Sequence, residues 1–276
     1  MYMKTILVPT DFSATATNAA KYAVQLADQI KASKIVFYNA FQAPVSVDPT
    51  LPVVQMVSID DLRKTSEEAL KKFASENGPA GLDVEIVSEY HTLNTGIEEV
   101  IQKVQADLVV MGITGGGELE QIFIGSNAVH VAKNSSVPVI IVPNGAQYVK
   151  INEVMLMTDL KNVADTIPEG KLKKFFQTIY PRLFVLHVDP EDTRETAEAQ
   201  YETLLLDSMF SSFHPEYIYS SREDFTDAMN EFAENRSVDM IITIPKKRSW
   251  FDSLIKPNHT KMLAFHSKVP LMVVNN

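Results

Sequence analysis

The sequence predicts an α/β protein of two tandem domains, each a five-stranded parallel, doubly wound sheet with helices on both faces. Three observations lead there. Short apolar runs alternate with segments of helical period along the chain, the pattern of βαβ units around a buried parallel sheet. The chain also repeats itself. Ile6-Leu7-Val8-Pro9-Thr10-Asp11 returns 148 positions later as Val154-Met155-Leu156-Met157-Thr158-Asp159, and Asp107-Leu108-Val109-Val110 returns 132 positions later as Asp239-Met240-Ile241-Ile242. Finally, 276 residues suit two domains of ordinary size. The repeat divides the chain into residues 1–147 and 148–276.

The elements follow in order. Thr5-Ile6-Leu7-Val8 is a continuous apolar run, as expected of a strand buried on both faces. Pro9-Thr10-Asp11-Phe12-Ser13 breaks it, and Ser13 or Thr15 can cap the next helix. Ala19, Ala20, Ala23, Leu26, Ala27 and Ile30 give that helix one apolar face. Ile35-Val36-Phe37-Tyr38 is the second strand, and residues 42–58, with Pro44, Pro49 and Pro52, form a loop. Ile59, Leu62, Leu70 and Phe73 mark a second helix that ends before Asn77-Gly78-Pro79. Val84 and Ile86 stand among charges, so their strand belongs near a sheet edge. Thr95-Gly96-Ile97-Glu98 reads as a capping box opening a helix with Ile97, Val100, Ile101 and Val104 inward. A strand at Asp107–Met111, a glycine loop, a helix at Asn127–Lys133 and a strand at Val137–Val142 complete the half. In the second half, Leu186-His187-Val188 stands where Tyr38-Asn39-Ala40 stood. Helices are expected around Leu172–Ile179, Tyr201–Met209 and Phe225–Ala233, the last capped by Ser221-x-x-Asp224.

One stretch carries chemistry. Gly112-x2-Gly115-x9-Gly125-Ser126 follows a strand and precedes a helix. Glycine tolerates positive φ and close approach, and the free N–H groups of a helix start point at an anion, so this order builds a phosphate cradle. In doubly wound sheets ligands sit off the carboxyl ends of the strands, at the topological switch point. The loops after the first strand (Pro9-Thr10-Asp11), the second (Asn39-Ala40-Phe41) and the fourth (Gly112–Gly125) share that end. The second half has lost the motif: Ile244, Lys247, Pro257 and Asn258 replace Gly112, Gly115, Gly125 and Ser126. A β-branched residue at positive φ costs about 1–3 kcal/mol, and proline removes a donor. Asp159 there is read as a helix cap.

Composition excludes several classes. A net charge of −10 argues against nucleic acid and anionic membrane surfaces. No cysteine means no disulfide and no thiol chemistry. No run reaches the roughly 18–20 apolar residues of a membrane span, and the N-terminus has no signal-peptide pattern, so a cytoplasmic protein is expected. The six histidines, His130, His187, His259 and His266 among them, show no metal spacing. Lys246-Lys247-Arg248-Ser249-Trp250-Phe251 reads as a solvated loop anchored by Trp250. No Walker A pattern and no Gly-x-Ser-x-Gly elbow is present, which argues against an enzyme.

The glycine spacing, the start motif Val8-Pro9-Thr10-Asp11 and the closing Val137-Pro138-Val139 together resemble the universal stress protein family, and the tandem arrangement resembles its two-domain members. The resemblance implies a Rossmann-like, adenine nucleotide alpha hydrolase-like fold and the binding of ATP, with or without Mg²⁺. By matched position, Pro9, Thr10 and Asp11 would line the adenine and ribose side. Ala40 would offer backbone groups to adenine. Gly112, Gly115, Gly125, Ser126 and Asn127 would hold ribose and phosphates. The family pairs through its last strand, so Val139–Val142 and Leu271–Val274 are expected to join the halves as an internal pair, with a homodimer as a further level. One departure stands out: residues 112–126 hold Glu118 and Glu120 and no lysine or arginine. A triphosphate there requires those carboxylates to point away or to share a Mg²⁺. Two other readings stay open, an interaction module without nucleotide and a slow ATPase.

Overall fold

The computed structural model of the chain describes residues 3–43, 58–113, 126–189, 193–221, 232, 236–245 and 269–276. The first half comprises β1 (Thr5–Pro9), α1 (Ala14–Ile30), β2 (Lys34–Phe41), α2 (Ile59–Asn77), β3 (Asp83–Tyr90), α3 (Leu93–Val104), β4 (Leu108–Gly112), α4 (Ser126–Asn134) and β5 (Val139–Val142). The second comprises β6 (Glu153–Met157), α5 (Val163–Thr166), α6 (Glu169–Ile179), β7 (Arg182–Val188), α7 (Ala197–Phe210), β8 (Glu216–Ser220), β9 (Met240–Thr243) and β10 (Leu271–Val273). The helix expected at Phe225–Ala233 lies almost wholly outside the described residues, as do Lys246–Phe251, His259 and His266.

The ten strands of the described residues join one sheet in the order β3-β2-β1-β4-β5-β10-β9-β6-β7-β8. The strand order of one half mirrors that of the other. Every pairing is parallel except the junction, where β5 and β10 run antiparallel with Leu271 opposite Ile141, Met272 opposite Ile140 and Val273 opposite Val139. Pairing there covers what would be an open edge on each half. The seam is apolar: Val139, Ile140, Ile141, Val142, Leu271, Met272 and Val273 are each at most 1% exposed.

Alternation along the strands feeds two cores, one on each face of the sheet. Ile6 and Val8 face α1 and α2 in a cluster that continues through Val154 and Leu156 to Phe175 and Phe176. Leu7 faces the other way, toward α3 and α4, in a cluster that reaches Met155 and Ile241. Both cores therefore run across the junction. The expected face of α1 is buried throughout, and Ser13 caps it, its Oγ accepting from the Ala16 N–H at 3.2 Å. β3 lies at the sheet edge, as its mixed pattern predicts.

Two local expectations need correction, and the second helix, present as expected from Ile59 on, has an exposed first residue. The capping residue of α3 is Thr92, three positions before the box read from sequence: Thr92 Oγ1 accepts from the Thr95 N–H at 3.2 Å, which puts Thr95 inside the helix. Ile59 opens α2 but is 46% exposed, because only Ser66, Leu70 and Phe73 of that helix reach the core. Asp159 does not cap a helix. Its Oδ1 accepts from the Lys161 N–H at 3.1 Å in a turn, and α5 starts after Asn162 without a side-chain cap.

Candidate functional site

In the order β3-β2-β1-β4-β5 the chain reverses direction of travel between β1 and β4, and a cleft of about 470 Å³ opens off the carboxyl ends of those strands. That volume lies within the roughly 300–1,000 Å³ of small-molecule sites. Pro9, Thr10, Asp11, Ala40, Gly112 and Asn127 all line it. Ser126 begins α4 but is exposed and does not line the cleft. Gly115, Gly125, Glu118 and Glu120 lie outside the described residues.

The floor is held by buried polar bonds. Thr10 donates its N–H to the Tyr38 carbonyl at 2.8 Å and accepts the Asn39 Nδ2 on its own carbonyl at 2.8 Å. Asn39 Oδ1 accepts from Ser66 Oγ at 2.7 Å, and Ser66 Oγ accepts from Ser88 Oγ at 2.7 Å. This chain of bonds ties the turn after β1 to β2, α2 and β3. Thr10 Oγ1 accepts from the Phe12 N–H at 2.9 Å and Asp11 Oδ1 from the Ser13 N–H at 3.0 Å. Together they turn the backbone through Phe12, which has φ 65. Asp11 thus shapes the turn while Ser13 caps the helix, and Asp11 remains exposed at the cleft.

Gly112 has a requirement of its own. It is not among the residues at positive φ. A Cβ there would stand 2.5 Å from the Thr15 carbonyl oxygen, so the glycine lets the first turn of α1 pack against the end of β4. Close approach of protein backbone, independent of any ligand, explains this position.

The described lining of the cleft holds Asp11 and His91 and no lysine or arginine. What it offers an anion is backbone: the first turns of α1 (Thr15, Ala16), α3 (Leu93, Asn94) and α4 (Asn127, Ala128) all border it. The side formed by Tyr38, His91, Thr92, Leu93 and Asn94 was missed in the sequence, because the cap of α3 was placed three residues late.

At the matching place in the second half the described residues differ. Ile244, at the position of Gly112, is 5% exposed and packs in one cluster with Leu160 and Val163. His187, at the position of Asn39, is 6% exposed and has Nδ1 3.1 Å from the Thr158 carbonyl. Its ring meets Tyr219 edge-on at 6.0 Å. Off β7 and β8 a cavity of about 50 Å³ lies between Asp189, Arg194 and Tyr219, room for a few water molecules but far below the size of a nucleotide site. No helix among the described residues is long and apolar enough to cross a membrane.

Comparison with known proteins places this architecture. The model of the universal stress protein family matches residues 3–143. Universal stress protein MJ0531 of Methanocaldococcus jannaschii is 33% identical over 139 residues, which span 50% of this chain and 81% of that protein. Over the whole length, the chain resembles the crystal structure of a universal stress protein from Archaeoglobus fulgidus, with TM-score 0.69 and 19% identity, covering 99% of this chain and 97% of that one. A functionally unknown protein from Pseudomonas aeruginosa matches with TM-score 0.63 and 10% identity, covering 99% and 92%. At such identities the structural likeness speaks for the fold, and the sequence matches speak for the family. The chain belongs to the universal stress protein family.

Proposed function

We propose that the chain is a two-domain universal stress protein, residues 1–147 and 148–276, whose first domain binds an adenine nucleotide in the cleft and whose second domain is a partner without a nucleotide site. The carrying observation is the convergence of Pro9, Thr10, Asp11, Ala40, Gly112 and Asn127 around one cleft at the switch point of the sheet. ATP with Mg²⁺ is the ligand this reading names, and the protein acts as a cytoplasmic sensor or regulator with at most slow hydrolysis.

The magnitudes allow it. A helix N-terminus contributes about 0.3–1 kcal/mol per nearby charge. Micromolar binding needs about 8 kcal/mol. Three or four charge-assisted hydrogen bonds of roughly 1.5–3 kcal/mol each, together with burial of the base, reach that figure without a basic side chain. The internal pair through β5 and β10 supplies the second domain's role: it covers the β5 edge and continues both cores.

The test is thermal unfolding of nucleotide-free protein with and without millimolar ATP and Mg²⁺. An upward shift in melting temperature is expected, and Gly125→Pro, which copies Pro257 of the second half, is expected to abolish it. Absence of any shift in the wild-type chain overturns the reading.

A further inference from the structure

Helix α4 belongs to the first half but is capped by the second. Its first turn lines the cleft through Asn127 and Ala128. At its other end Asn275, two positions beyond β10, donates Nδ2 to the carbonyls of Ala132 at 2.9 Å and Ser135 at 3.0 Å. The last carbonyls of a helix have no partner within it, so this carboxamide satisfies a group that the first half leaves open. Ala132 is 0% exposed, and burial makes such a bond costly to lose. The next residue, Ser136, donates its N–H to Glu98 Oε2 of α3 at 3.2 Å. The turn after α4 is thus fixed between the second half and another helix that borders the cleft.

The contact is one-sided. On the 132-residue shift, Asn275 corresponds to Pro143. The backbone is held alike at both positions: the Pro143 carbonyl accepts from Asn18 Nδ2 of α1 at 3.3 Å, and the Asn275 carbonyl from Lys171 Nζ of α6 at 2.8 Å. Proline carries no side-chain donor, so position 143 cannot return the cap. Adhesion between the halves does not call for it either, since the β5–β10 pairing and its apolar seam already supply that.

We infer that Asn275 is a positioning residue for the cleft: by fixing the last turn of α4 from the second half, it sets where the first turn of that helix meets an anionic ligand. The inference rests on the nucleotide reading above and adds a part for the second half in it. A helix of nine residues is about 14 Å long and moves as a rod, so slippage at its last turn reaches its first. Donors serve an anion only when supporting contacts hold them close to the productive geometry. The second half therefore acts on affinity without touching the ligand.

Isothermal titration of the full chain with MgATP, at a temperature where every variant is folded by circular dichroism, tests this. Asn275→Ala is expected to weaken MgATP about three- to tenfold relative to wild type. Asn275→Asp, which keeps the shape but loses both donors, is expected to weaken it at least as much. Lys174→Met, which breaks a different polar link across the junction without touching α4, is expected to bind within about twofold of wild type. Wild-type affinity in Asn275→Ala or Asn275→Asp overturns the inference and leaves the nucleotide reading standing. So does a loss in Lys174→Met equal to that in Asn275→Ala, which would mark a general loosening of the junction. No binding of MgATP by the wild-type chain overturns both.

Discussion

Asp107 accepts the N–H groups of Lys4 and Thr5 at 2.7 and 3.1 Å; 132 positions later, Asp239 accepts those of Asn152 and Glu153 at 2.8 and 2.9 Å. Phe12 and Leu160 both take positive φ after the first strand of their half, and Gln105 and Ser237 both do so before β4 and β9. Asn39 and His187 each reach the carbonyl of the threonine 29 residues before them. The joints of the two halves are thus the same even where the side chains differ. What differs is the carboxyl end of the sheet. There the first half keeps Gly112 and an open cleft, and the second has a buried Ile244. The lesson is that strand anchors and turns, which fix the scaffold, are common to both halves, and that the halves part at the carboxyl end of the sheet.

Exchanging residues between the halves sharpens or breaks that comparison. The largest effect is expected from Ile244→Gly, which writes the first-half residue into the second half. Removing a fully buried isoleucine is expected to lower unfolding free energy by about 3–5 kcal/mol in chemical denaturation, without creating a second nucleotide site. The reverse change, Gly112→Ile, drives a side chain into the Thr15 carbonyl and is expected to cost about 2–3 kcal/mol and to abolish ATP binding in titration. If Gly112→Ile is stable and still binds, the account of this position fails. Asn39→Ala removes the link between Thr10 and Ser66 and is expected to cost about 1–3 kcal/mol, with ATP affinity falling as the turn after β1 loosens.

A smaller, pH-dependent effect is expected at Asp107. Asp107 also accepts from Lys174 Nζ of α6 at 2.5 Å. Burial alone would raise its pKa, but the hydrogen bonds from Lys174 and from the Lys4 and Thr5 N–H groups outweigh this and hold it below the usual carboxylate range. A pKa lowered in the folded state means that the unfolded chain takes up the proton first. The stabilisation is therefore complete well above the ordinary value of 3.8 and is lost as pH falls through it toward the lowered folded value. Asp107→Asn is expected to be less stable than wild type by about 1–3 kcal/mol at neutral pH, and the gap to close in acid. Lys174→Met, which removes a partly exposed pair between the halves, is expected to cost less than about 1 kcal/mol in the same denaturation measurement.

Much of this was legible in the sequence. The alternation of apolar runs and helical periods, together with the repeat, marks nine of the strands, and the family resemblance implies the pairing of β5 with β10, whereas the strand order was not read from the sequence. The apolar face of α1 could be read residue by residue, since its alanines follow one period. Other features were hidden for physical reasons. β8 gives a short, half-buried run at a sheet edge, too weak to separate from loop. α3 offers two threonines three apart, and which one caps depends on where β3 releases the chain. Gly112 was legible as a glycine that must be a glycine, but the reason, the Thr15 carbonyl, comes from a helix nearly a hundred residues earlier.

The central claim is an asymmetry: two matched scaffolds and one nucleotide site. Its most direct test is the stoichiometry of MgATP binding to the full chain by isothermal titration. One nucleotide per chain, lost in Gly112→Ile and kept in Ile244→Gly, is the result expected. Two per chain, or binding that survives Gly112→Ile, would contradict it.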